Sequence, residues 1–328
     1  KSSLIALMFM TTGRLLFWDS FIGLIDIMFS LFVFLNFMVI YYLFNKRKLL
    51  LMFLLSYLLT AIAFMFKGLP ALVFQAFTLL AIFIMNKQFI KLISWKHTAG
   101  ILLFFLLLGA YYVPYYFSRP EATDNLFYML FEQSARRTGI RFGFLQTVLH
   151  FFTFPVDVLY HFAPWTLLSI FLFRKDFLRK LKENNLVYYM AVVFAVNIIV
   201  YWISPEVFPR YLFMFIPLLM AIIMYFKDIN ASGRFTKVAN IILLTIIIIG
   251  LIAFVVVPFT EYFSFVELRF MKSSIVVLFL FLTIILFYRI KKQRMAIMVI
   301  ALLIMRIGYN WYILPDRARN TQEFKDNA

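Results

Sequence analysis

Four polar side chains stand at the ends of long apolar runs, where they could act on a charged substrate. Asp26 lies about one helical turn inside such a run, and a carboxylate there should face a protein cavity and not lipid. Lys67 closes a second run, before a Gly-Leu-Pro turn. Arg210 and Tyr211 open a third, where the helix dipole also favours an anion. The set predicts a site that binds a phosphate and holds a carboxylate beside it.

Each of these residues also has a structural explanation. Asp26 could be a buried acid bonded to a neighbouring helix, and Lys67 could be a lysine whose amine extends to the membrane interface. Asp19, closer to water, is predicted to cap a helix N-terminus. Arg210 is the strongest single indication of a functional site, because the positive-inside rule disfavours an arginine at that end of a span.

A hydrophilic segment at 118–165 is the longest between the apolar runs. Apolar residues at helical spacing predict helices at 124–135 and 142–152 that lie along the membrane surface. Arg137, with Glu132 and Arg136 about one turn away, either forms an ion pair within its helix or grips a phosphate.

Histidines in the same segment raise the question of a metal site. His150, Asp157 and His161 could be ligands, but their spacing fits no known metal motif. The sequence therefore predicts neither a metal site nor a cofactor, and it leaves a divalent cation open. With no cysteine, disulfides and thiol catalysis are excluded.

Composition places the chain among membrane proteins. It is 64% hydrophobic and 14% charged, with a mean hydropathy of +0.92, whereas soluble domains carry about a quarter charged residues. Runs of about 20 apolar residues recur, and the alternating pattern of a membrane barrel is absent. We expect an all-α, polytopic transmembrane bundle of about 10–11 spans, with juxtamembrane helices on the outer face. After a stub at 4–10, the predicted spans are 22–44, 49–66, 71–85, 99–117, 164–173 (starting near 156), 186–203, 211–226, 238–257, 274–288 and 296–307.

Charge predicts the orientation of these spans. The connectors at 45–48, 86–97, 174–185, 227–237 and 289–294 hold 18 of the 32 Lys and Arg residues but only three of the 15 acids. By the positive-inside rule they are cytoplasmic, so 118–165 faces outward. We expect a multi-pass protein of the bacterial inner membrane with its site facing the periplasm. The net charge of +17 reflects this topology and not nucleic-acid binding.

The domain organisation follows from the same runs. Residues 1–308 are predicted to form one transmembrane domain that includes the outer loop, and 309–328 to begin an outside segment. The first residue is Lys1 and the chain stops in a polar stretch. We therefore expect a piece of a longer protein, truncated at its N-terminus and inactive on its own.

Several short motifs follow one another along the chain. In order, they are Asp26, Lys67-Gly68-x-Pro70, Tyr111-Tyr112-x-Pro114-Tyr115, Pro164-Trp165, and Ser204 followed by Pro209-Arg210-Tyr211-Leu212 and Pro217. This order resembles that of the GT-C class of integral-membrane glycosyltransferases. The closest branch contains protein mannosyltransferase-like enzymes and bacterial aminoarabinose lipid A transferases. Two features of the family have no counterpart here: an acidic first outer loop and a soluble domain after the last span.

The resemblance implies transfer of a sugar from a polyprenyl-phosphate carrier to a lipid or protein acceptor. Asp26 matches an outer-face acid of the family, and Arg210 and Tyr211 match the segment that holds the carrier phosphate. Two other classes stay open: a flippase for polyprenyl-linked glycans or another transporter, and a non-catalytic scaffold. Transporters place ionisable groups near mid-membrane and often show repeated halves, whereas these charges lie at helix ends. The expected partners are the lipid-linked sugar, its acceptor and membrane lipids.

Overall fold

The structure, a computed structural model, describes residues 2–118, 144–230 and 233–326, and within them all side chains except those of 144 and 320–326. The described residues form helices and no strand, which confirms the predicted all-α class. The α-helices are α1 (Ser2–Met10), α2 (Gly13–Phe17), α3 (Ile25–Asn45), α4 (Leu49–Lys67), α5 (Pro70–Met85), α6 (Trp95–Ser118), α7 (Phe144–His161), α8 (Phe177–Lys182), α9 (Asn185–Trp202), α10 (Ile216–Ile229), α11 (Arg234–Val256), α12 (Arg269–Arg289) and α13 (Arg294–Asp326).

Short 3-10 segments occur at several of the turns between these helices. Those used below are Asp19–Phe21, Trp165–Leu172 and Pro209–Leu212. Three predicted features lie outside the described residues: Arg137, its neighbours Glu132 and Arg136, and the helix at 124–135. The predicted boundary at 308–309 falls inside α13, which continues through it without a break.

Seven of the described helices are long and apolar enough to cross a membrane, and the bent pair Ser2–Met10 and Gly13–Phe21 would make eight. This indicates a multi-pass membrane protein. The predicted span at 164–173 is wrong: α7 ends at His161, and Trp165–Leu172 is a separate 3-10 segment of about 16 Å. Two further helices, α5 and α10, have 16 and 14 residues and fall short of the roughly 30 Å of a hydrocarbon core.

The exposed surface of helix α6 is apolar and is better suited to lipid than to water. Its only buried residues are Gly100 and Phe104. Leu102, Phe105 and Leu106 are each about two-thirds exposed. Apolar side chains on that scale are unfavourable in water but stable against lipid.

The chain forms two compact units, each built from separate stretches. The first comprises 1–22, 160–173 and 226–328; the second comprises 23–159 and 174–225. In the first unit α11, α12 and α13 pack together, with the ring of Phe254 close against Gly308. There the indole of Trp165 donates to the hydroxyl of Thr11 at 3.0 Å.

In the second unit, amides and hydroxyls bond to one another between the buried faces of α3, α4, α5 and α9. These contacts give the amide nitrogens acceptors that lipid could not supply, whereas the Oδ1 atoms of Asn36 and Asn197 have no hydrogen bond among the described residues. Three hydrogen bonds between side chains of different helices run from Asn36 to Thr60 (2.8 Å), from Gln75 to Ser56 (2.9 Å) and from Asn197 to Thr78 (3.1 Å).

Helix α7 presents three different faces along its length. One face packs on α9, where the indole of Trp202 donates to the carbonyl of Phe151 at 2.8 Å and Phe154 is buried. The apolar stripe is exposed and consists of Leu145, Leu149, Phe152 and Val156. The polar stripe between these two faces consists of Gln146, His150, Thr153 and Asp157.

Candidate functional site

The predicted residues Asp26, Lys67, Arg210 and Tyr211 meet at one end of α3 and α4 in the second unit. A three-residue connector makes these helices antiparallel. Asp26 lies 19 residues before the last residue of α3, and Lys67 lies 18 residues after the first residue of α4. Both are thus about 27–29 Å from the connector and reach the same level.

Helix ends favour both charges where they stand. Asp26 lies in the first turn of α3 and Lys67 in the last turn of α4, the positions that the helix dipole favours for an anion and a cation. Gly68 follows with a φ of 74°, a conformation that a glycine adopts at little cost and that ends α4 sharply.

Asp26 is paired with two cations, one through each carboxylate oxygen. Its Oδ1 accepts from Nζ of Lys67, and its Oδ2 lies 3.0 Å from Nε of Arg210. The Nε–H group of Arg210 is buried but not aligned to donate to that oxygen, so it makes no hydrogen bond. Electrostatic attraction therefore holds the arginine beside the carboxylate, and the pair does not form bidentate hydrogen bonds.

Aromatic rings support both cations. The Lys67 amine lies 3.3 Å from the ring centroid of Tyr211, and the Arg210 guanidinium lies 4.4 Å from that of Phe208. Cation–π contacts of this kind stabilise a desolvated cation. Tyr211 itself is buried, so it contributes by positioning Lys67.

The cluster carries one negative and two positive charges, a net charge of +1. Exposure rises from Asp26 through Lys67 to Arg210, with side-chain values of 7%, 13% and 24%. The guanidinium is thus the most accessible group of the three. An incoming anion would meet Arg210 first, and a cationic ligand would be repelled.

The predicted histidine and carboxylate ligands are not brought together as a metal site. His150 Nε2 lies 3.3 Å from the carbonyl oxygen of Tyr201, and Asp157 is exposed on the polar stripe of α7. In the part of the chain that the structure describes, no three His, Asp or Glu side chains form a group able to hold a metal ion.

The prediction that Asp19 caps a helix is wrong. Its side chain is fully buried in the 3-10 segment Asp19–Phe21, makes no cap hydrogen bond, and pairs with Arg14 at 2.9 Å. Burial of a carboxylate requires such a partner, and the arginine five residues earlier supplies it.

Sequence reasoning missed Arg306, which lies within the apolar part of α13. Its guanidinium donates to the carbonyl of Leu16 and lies 4.0 Å from the ring centroid of Phe21. The sequence does contain an indication of it, because a charged residue between Met305 and Ile307, inside a predicted span, marks a possible functional position.

Comparisons with known protein families, with curated proteins and with solved structures find no match to this chain.

Proposed function

We propose that this chain is the membrane part of a glycosyltransferase that moves a sugar from a polyprenyl-phosphate carrier to an acceptor on the outer face of the bacterial inner membrane. The acceptor would be lipid A, a protein or a surface glycan. One observation carries the proposal: Asp26, Lys67 and Arg210 come from three separate segments and converge at one end of two apolar helices.

The cations suit the departing phosphate. Inverting transfer breaks the bond between the sugar carbon and the phosphate oxygen, and the phosphate leaves with the electron pair. Cations placed beside that oxygen stabilise the developing charge. Arg210, the most exposed of the three side chains, would contact the phosphate first. Lys67, whose amine lies over the ring of Tyr211, would contact it next.

The carboxylate suits the acceptor. Each oxygen of Asp26 lies against a cation, so neither is open to an acceptor hydroxyl in this arrangement. When a donor phosphate draws Lys67 and Arg210 toward itself, the carboxylate is released. It can then orient the acceptor hydroxyl and take its proton as the new glycosidic bond forms.

The flippase alternative predicts ionisable groups in mid-membrane. The polar residues buried between α3, α4, α5 and α9 are instead uncharged amides and hydroxyls that bond mainly to one another. This pattern favours the transferase for the second unit.

Transfer from a radiolabelled polyprenyl-phosphate sugar in membranes that carry the full-length protein tests the proposal. Asp26→Asn and Arg210→Gln should each lower transfer at least a hundredfold, because each removes a charge used in the transition state. Asp176→Asn and Arg179→Gln, which change the same charges in a connector, are the matched controls. Full activity in both site variants at equal expression would refute the proposal, and carrier movement without transfer would support the flippase.

A further inference from the structure

A second basic cluster lies in the first unit and does not involve the candidate site. It contains Arg14, Arg306 and Arg317, and the buried Asp19 pairs with Arg14. The guanidinium carbons of Arg306 and Arg317 lie 4.0 and 4.3 Å from the centroid of the same Phe21 ring. The two cations are thus within about 8 Å of each other, close enough to repel appreciably in a low dielectric.

Arg306 is the member that most needs explanation. It lies within the apolar part of a candidate span, where a charged side chain usually pairs with an acid or serves a ligand. Its contacts among the described residues are a backbone carbonyl of Leu16 and the rings of Phe21 and Tyr309. None of these neutralises its charge.

Two buried oxygens nearby in sequence lack hydrogen bonds among the described residues. One is Oδ1 of Asp19, whose other oxygen pairs with Arg14 at 2.9 Å. The other is Oδ1 of Asn310, one turn beyond Arg306 on the same face of α13. Buried acceptors without a donor are rare in native proteins, and they suit a ligand that carries hydroxyl groups as well as a negative charge.

We propose that this cluster, defined by Arg14, Arg306 and Arg317, binds the phosphate of an anionic lipid headgroup. A guanidinium matches phosphate oxygens in a planar, two-pronged contact. The surroundings are those of a lipid-facing surface: Trp18, with Arg14 stacked 5.6 Å from its ring, is about half exposed. A bound phosphate would relieve the repulsion between Arg306 and Arg317. This inference does not depend on the proposed transferase activity.

Binding to the purified full-length protein in detergent tests it, by calorimetric titration of three probes. These are short-chain phosphatidylglycerol, which has a phosphate and hydroxyls, short-chain phosphatidylcholine, whose headgroup is neutral overall, and inorganic phosphate. We expect phosphatidylglycerol to bind at least tenfold more tightly than the other two. Arg306→Gln should weaken that binding tenfold or more, because a charge-assisted hydrogen bond is lost. Arg306→Lys should retain part of it.

Two controls separate this site from general charge and from the candidate site. Arg289→Gln makes the same charge change at the exposed end of α12, and Arg210→Gln alters only the candidate site; both should bind phosphatidylglycerol normally. Arg317→Gln gives a second test if Arg306→Gln fails to fold. Unchanged binding in folded Arg306→Gln and Arg317→Gln would refute the site. Equal affinity for inorganic phosphate would refute the lipid as its source, and loss only in Arg210→Gln would move the binding to the candidate site.

Discussion

Replacing Asp26 with asparagine should destabilise the protein more than removing either cation that it holds. The substitution preserves shape but leaves Lys67 and Arg210 side by side with no described carboxylate between them, and the cluster changes from +1 to +2. Lys67→Met or Arg210→Met instead leaves a neutral pair. The order of stability therefore follows the charge balance of the cluster and not the size of the side chain that is replaced.

The magnitude follows from the geometry. At 3.0 Å and an effective dielectric constant near 20, the Asp26–Arg210 attraction is about 5–6 kcal/mol before desolvation is counted. Removing one partner of a buried pair costs about 3–5 kcal/mol, because the remaining charge is left uncompensated. We expect that loss for Asp26→Asn. Each cation variant should lose less, because the other cation still compensates the carboxylate. For Lys67 the loss is about 1.5–3 kcal/mol, the value of a hydrogen bond to a charged group. For Arg210, whose Nε–H makes no hydrogen bond, it is smaller.

The free energy of unfolding, measured by SDS titration of the purified protein, checks this order. The double variant Asp26→Asn/Lys67→Met restores the native charge of +1 and should be more stable than Asp26→Asn alone. Asp176→Asn, in a connector, is the control for loss of a paired carboxylate near the surface and should cost less than Asp26→Asn, because solvent screens its ion pair. If Asp26→Asn were as stable as the cation variants, or if the double variant were worse than both singles together, the electrostatic account would be refuted.

Packing, charge and surface position each support one further prediction. Gly100→Ala would place a Cβ against the ring of Tyr57 on α4 and should cost about 1–3 kcal/mol in the same unfolding assay. Gly109→Ala meets open space and should cost nothing, and equal effects of the two substitutions would contradict the packing. Arg174 holds the pKa of Asp176 at about 2, below its usual 3.8, by a side-chain hydrogen bond, so the pair stabilises the fold above pH 3.8 and loses that effect as pH falls toward 2. Arg174→Gln should raise this pKa toward 3.8 in carbon-13 NMR of labelled aspartate, and an unchanged value would refute the assignment. A nitroxide at Leu149, on the apolar stripe of α7, should collide with oxygen more often than one on the polar stripe, and the reverse order would contradict contact with lipid.

The class of the protein and one half of the candidate site could be predicted from the sequence. Runs of about 20 apolar residues require helices in a medium without water, so the all-α class follows from composition alone. The pairing of Asp26 with Lys67 is also implied locally. Two apolar runs joined by three basic residues form an antiparallel hairpin, and the two charges stand at nearly equal distances from the connector.

The approach of Arg210 to Asp26 could not be predicted from such local spacing in the sequence. Its segment is far along the chain, and the intervening residues do not specify which helix end it reaches. Arg306 was missed for a related reason: a hydropathy window tolerates a single charge, and the ring and carbonyl that receive this guanidinium belong to the start of the chain.

The wrong prediction of a membrane span at 164–173 shows most clearly what only the tertiary structure decides. The run is apolar, yet Trp165, Leu168 and Phe171 are fully buried within the protein in a short 3-10 segment. An apolar side chain is stabilised equally by lipid and by a protein core, because both remove it from water. Hydropathy therefore determined that these residues avoid water, and only the packing of distant segments decided what surrounds them.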